Sequence, residues 1–199
     1  MAESEQTKPV HINPGRLLWS GEHWINGLQS PEGEIPSAWV SLYHTRYSPA
    51  GEGNTAQIII RTDRRLSLIC VDNPEVGRFS QDNFLIRSTF QDPQAPIVQA
   101  RFFREGDIRR DPAWVIETGE HRIVARWWVT EPPVIAQGTF RPGTEHFTAL
   151  FFTERASVEV DGQPIPGNPF LRDIWEPYLP GARSSCVFAL AETLIELPP

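Results

Sequence analysis

Few of the residues that announce a particular chemistry occur in this sequence. It has 2 cysteines, 1 methionine and a single lysine, Lys8, among 199 residues. Two thiols are too few for a cysteine-built zinc site. Cys70 and Cys186 each sit inside an apolar run, so both are expected as buried free thiols. No stretch approaches the ~18 consecutive apolar residues of a membrane helix, and the opening MAESEQTKPV lacks the apolar core of a secretory leader. The expectation is a cytoplasmic protein with no membrane partner. A net charge of −7 argues against a nucleic-acid partner, because phosphate attraction needs clustered positive charge. Catalytic motifs are missing too: there is no G-x-S-x-G elbow, no P-loop and no G-x-G-x-x-G. His11, His23, His44, His121 and His146 never fall at H-x-H or H-x-x-x-H spacing, so neither a metal nor another cofactor is expected.

What the sequence does have is punctuation and aromatics. Its 19 prolines and 14 glycines are spread along the chain and mark turns. Between them lie runs rich in Val, Ile, Phe, Trp and Thr, predicted as strands at 16–25, 37–47, 56–62, 65–72, 84–90, 97–104, 113–118, 121–130, 134–140, 146–153 and 156–161. Asp161-Gly162 suits a tight hairpin turn, and DNPEVG is read as a turn. Residues 171–179 could form one or two helical turns before Pro177. The segment 184–197 fits a helix stripe or a closing strand interrupted only by Glu192, and is read as strand. A polar tail over 1–13 and one all-β domain over 14–199 follow. The predicted fold is a single antiparallel β-barrel of about ten strands with at most one or two short helices, and a β-sandwich is the alternative. The strand count resembles lipocalin-like barrels, an analogy at the level of fold alone.

Alternation along the strands is more informative. Trp39, Ser41, Tyr43, Thr45 and Tyr47 share one face, and Trp19, His23 and Ile25 share another, with Glu22 and Trp24 opposite. Ile123, Ala125, Trp127 and Val129 lie opposite Arg126 and Trp128. Several strands therefore have no wholly polar side, which predicts a partner on both faces. The leading functional expectation is a small, largely apolar ligand bound in an aromatic-lined cavity by Trp39, Tyr43, Tyr47, Trp127 and Trp128. A first alternative is an isomerase, cyclase or hydro-lyase needing neither metal nor nucleotide, using His23, His121 and Glu22 as acid–base groups. A second is a carbohydrate-binding sandwich. Pairing of an aromatic face with a second copy, as a homodimer, would produce the same surface.

The dipeptide Glu-His occurs three times, at 22–23, 120–121 and 145–146, where composition alone leads one to expect about 0.4. Neighbours on a strand point to opposite faces, so no such pair can orient itself. A working pair must form between strands, for instance Glu22 with His121.

Overall fold

The computed structural model describes residues 15–85, 90, 92–129, 131–139, 141–175 and 179–198. In chain order the elements are β1 (Arg16–Gln29), β2 (Ala38–Tyr47), β3 (Gly53–Arg61), β4 (Arg65–Val71), α1 (Pro74–Asn83), β5 (Ile97–Gln99), β6 (Arg101–Glu105), β7 (Ala113–Glu117) and β8 (Arg122–Trp128). Then come β9 (Val134–Gly138), β10 (Thr144–Phe152), β11 (Arg155–Val160), β12 (Gln163–Pro164), β13 (Asn168–Pro169), β14 (Leu171–Arg172), β15 (Arg183–Ser184) and β16 (Val187–Glu196). The predicted β class holds. Closure into the predicted barrel is not observed: the large sheet runs β5-β4-β3-β2-β1-β16-β10-β9 and the small one β12-β11-β8-β7-β6, and neither closes on itself among the described residues. Pairing is antiparallel except between β4 and β5, whose parallel join needs the intervening helical crossover.

The two sheets face each other across one core. Trp24, Val40, Leu42, Ile58, Ile60 and Phe188 come from the large sheet, and Trp114, Ile116, Ile123, Trp127 and Val158 from the small one. Trp24 stacks on Phe188 at 4.2 Å and Phe188 on Phe151 at 4.9 Å, while Trp127 meets Trp24 edge-on at 5.1 Å. Burying each such side chain contributes about 1.5–3 kcal/mol. Two polar pins fix the sheets in register with each other. Trp127 Nε1 donates to the Ile25 carbonyl at 2.8 Å, and Asn26 Nδ2 donates to the carbonyls of Arg126 and Ser157, each at 3.1 Å. Cys70 and Cys186 are buried and free, as expected, and burial pushes both thiols up to about 12.

The stretch expected as a turn at DNPEVG is instead the start of α1. Asn73 caps it by accepting from the Glu75 amide at 3.1 Å, and Pro74 opens the first turn, where its missing N–H costs nothing. The strand expected at 84–90 is overturned at its first residue, because Phe84 caps α1; residues 86–89 lie outside the described residues. Helical turns over 171–179 are replaced at 171–172 by β14, which pairs with β15, and 176–178 lie outside the described residues. The N-terminal tail also falls outside them. The hairpin at Asp161-Gly162 is present, with φ of +54° and +75° at the two turn residues.

Candidate functional site

β1 turns Trp24 into the inter-sheet core and His23 to the other side of the large sheet. That outer face is covered from two directions. Toward one end, Trp19, Tyr43, Ile69, Val71 and Leu194 pack with Phe84, Leu85 and Ala95 of the chain that follows α1. Toward the other, Ile25, Trp39, Ile59, Leu150, Phe152, Val187 and Ala189 pack with Trp175 and Leu179. Between these two apolar clusters each strand changes to a polar residue: Thr148 on β10, Glu192 on β16, His23 on β1, Ser41 on β2 and Gln57 on β3. The register makes this a continuous band, since Thr148 pairs directly with Glu192 and Ser41 with Gln57.

The band is connected by short contacts. His23 Nε2 lies 3.1 Å from Ser41 Oγ, and His23 Nδ1 lies 3.9 Å from Glu192 Oε1. Glu192 is held by Thr148 Oγ1, which donates to Oε2 at 3.2 Å, and by His146 Nε2, 3.2 Å from Oε1. Tyr43 stacks flat on His23 with ring centres 4.0 Å apart. Arg172 closes the band on one side, its guanidinium 4.8 Å over the Trp39 ring and 5.5 Å over Phe90. Polar atoms in such a place cost free energy unless paired. Trp39 Nε1, Thr55 Oγ1, Gln57 Oε1 and Trp175 Nε1 are nonetheless buried with no hydrogen-bond partner among the described residues.

Electrostatics follow from the enclosure. Burial lowers His23 to about 4, with the charges of His146 and Arg172 acting in the same direction and Glu192 opposing them. Glu192 is itself pushed up by burial, but hydrogen bonds from His146 and Thr148 and the Coulombic influence of the neighbouring imidazoles outweigh this and hold it below its ordinary value. Burial, then the Glu192 charge, raises Tyr43. Near neutrality the band therefore offers a neutral imidazole, a carboxylate and a protonated phenol.

A β-bulge makes this possible. Pairing of β1 with β16 shifts between Gly21 opposite Glu192 and His23 opposite Ala189. The extra residue switches the outward positions of β16 from Val187 and Ala189 to Glu192 and Leu194, which aims the carboxylate at His23. Gly27 has a similar local necessity, because a Cβ there would lie 2.7 Å from the Trp39 ring.

The residues singled out from sequence are distributed over several environments. His23 is in the band. Glu22 points the other way, where its Oε2 accepts from Trp24 Nε1 at 3.0 Å and pairs with Arg104, whose guanidinium lies over Trp24 and Trp114. His121 sits at the far hairpin with Asp161 at 3.0 Å, which Arg64 also contacts at 3.0 Å. Glu22 and His121 therefore each have a different partner. Tyr43 and Trp39 wall the band, Tyr47 is 46% exposed at the end of β2, and Trp127 is in the inter-sheet core. Trp128 is half-buried beneath Arg155, 4.2 Å from its ring. Two of the three Glu-His histidines, His23 and His146, do converge, but on Glu192, which belongs to no such dipeptide. Ser41, Gln57, Thr148 and Glu192 were not singled out; the one signal was a lone carboxylate interrupting an apolar strand at 192.

Surface clefts of about 600 Å³ by Arg61, Arg65 and Asp92, and of about 760 Å³ by Arg16, Arg141 and Glu196, are not lined by band residues. Among the described residues no group of three or more His, Cys, Asp or Glu side chains is arranged to hold a metal, and no helix is long and apolar enough to cross a membrane. No protein-family model, curated protein or solved structure matches the chain.

Proposed function

We propose that the protein binds a small, largely apolar molecule against the outer face of the large sheet, with its hydrogen-bonding end laid along the polar band. One observation carries this reading: four buried polar atoms, on Trp39, Thr55, Gln57 and Trp175, lie on that face without a partner among the described residues. Each would cost about 1–3 kcal/mol left unpaired, so retaining four together points to a group the chain does not itself supply. Tyr43, Trp39 and Trp19 provide the apolar wall such a molecule needs. Native mass spectrometry of the protein as purified tests the reading. A bound small molecule, released on denaturation, is expected; an unliganded monomer, or a bare dimer formed through an aromatic face, would contradict it.

A second reading has its own support. His23 is neutral at physiological pH, touches a hydroxyl through Nε2 and has a carboxylate on the Nδ1 side, the arrangement of a general base. Acid–base turnover of the bound molecule is then the function, and His23→Ala is expected to abolish turnover while leaving the fold and ligand affinity in place.

A further inference from the structure

Ser41, His23 and Glu192 lie in a line on three adjacent strands, and we infer that they form a nucleophilic triad that takes an acyl group from a small ester on Ser41. The inference rests on the outer-face site and names its substrate class. Three features of the geometry support it. Ser41 Oγ is within hydrogen-bond reach of His23 Nε2, at 3.1 Å. The Glu192 carboxylate stands 3.9 Å from Nδ1, longer than a hydrogen bond but within ion-pair reach. It favours the tautomer with the proton on Nδ1, leaving Nε2 as the acceptor that a general base requires. Finally, Glu192 is fixed by Thr148 and His146, so the orienting group is itself held in place. A triad is recognised by such roles and geometry, not by chain order or by an elbow motif.

The chemistry balances with groups already on the face. Ser41 Oγ attacks the ester carbonyl carbon as its proton passes to His23 Nε2, and the carbonyl π pair moves onto oxygen. Gln57 pairs with Ser41 across β2 and β3 and Tyr43 follows two positions along the same strand face, so their amide and hydroxyl are the candidate donors to that oxyanion. Rotated by half a turn, the amide presents Nε2 where Oε1 now stands. When the intermediate collapses, the C–O bond to the leaving alcohol breaks and the alcohol takes the proton from His23. Water, activated by the same imidazole, then attacks acyl-Ser41 and releases the carboxylic acid.

The test is incubation of the full chain with p-nitrophenyl acetate, followed by intact-mass measurement and peptide mapping. One acetyl group is expected on Ser41 and none in Ser41→Ala. Acylation should fall on the order of 10²–10⁴-fold in His23→Ala, and less in Glu192→Gln, a positioning residue. If His23→Ala does not fold, His23→Gln serves in its place, with thermal unfolding as the control for both. The acylation rate should lose its dependence on pH in the His23 variant, which a merely structural role would not produce. The inference is overturned by a wild type with neither acetyl on Ser41 nor p-nitrophenol release above the Ser41→Ala level, by acetyl only elsewhere, or by a rate unchanged by the His23 substitution. A small molecule retained in native spectra without acylation of Ser41 defeats the triad and leaves the binding site standing; loss of both defeats both.

Discussion

The two faces of the large sheet are made by the same strands and differ in almost every other respect. Trp24, Leu42, Ile58 and Phe188 point inward, are all fully buried, and meet apolar partners or each other. His23, Ser41 and Gln57, one position away, and Glu192, four positions from Phe188, lie on the outer side, where the surroundings are nearly as enclosed yet polar. The inner face has the organisation of stability: stacked rings and two cross-sheet pins. On the outer face polar atoms are buried together, and several have no hydrogen-bond partner among the described residues, which is what the proposed binding site rests on. The inner core has one such atom among the described residues, Trp114 Nε1, whereas the outer face gathers four, so the contrast is one of number and clustering.

Substitutions can break that contrast, beginning with the largest effect. Trp127→Ala removes a fully buried indole and its bond to Ile25, and should destabilise the protein by about 3–5 kcal/mol. Urea denaturation measures it, and a loss below about 1 kcal/mol would show that the inner core is not as described.

Next comes pH. His23 has an ordinary value of 6.5 and is lowered to about 4 in the fold. The unfolded chain therefore takes the proton first on acidification, and stability falls as pH drops through that window while staying level above it. The drop should be roughly 3 kcal/mol. The carboxyl of Glu192, held below its ordinary 4.5, adds its own loss at more acid pH. His23→Gln should flatten the upper part of the curve, and an unchanged slope would place the titration elsewhere.

A smaller effect of opposite sign is expected at Gln57. Gln57→Leu removes a buried oxygen without a partner and should raise stability by about 1 kcal/mol while abolishing ligand retention. Tyr47→Ala, at the exposed end of β2, should change stability by no more than about 0.5 kcal/mol.

Much of this was legible in the sequence through its alternation. Period two correctly separated Trp24 from His23 and grouped Trp39, Ser41 and Tyr43, because those segments are regular strands. It failed where the backbone departs from regularity. The bulge in β16 shifts the outward parity between Ala189 and Glu192, which is why 184–197 fitted neither a clean strand nor a clean helix. The Asn73-Pro74-Glu75 start of α1 was readable from cap chemistry, but Pro and Gly so close together suggested a turn. Sheet closure was not legible, because strand count alone does not decide whether the last strand reaches the first; here β9 and β5 are the edges of the large sheet among the described residues. The site depended on register across five strands, and Glu192 meets His23 from 169 positions away.

The central claim is that the outer face holds a ligand and the inner face holds the fold. Native mass spectrometry of wild type and Gln57→Leu, purified side by side and paired with thermal unfolding, tests it most directly. A bound small molecule in the wild type that is absent from the variant, with the unliganded variant melting no lower than the unliganded wild type, is the predicted result. Equal retention in both proteins, or a variant that loses stability along with the ligand, would contradict it.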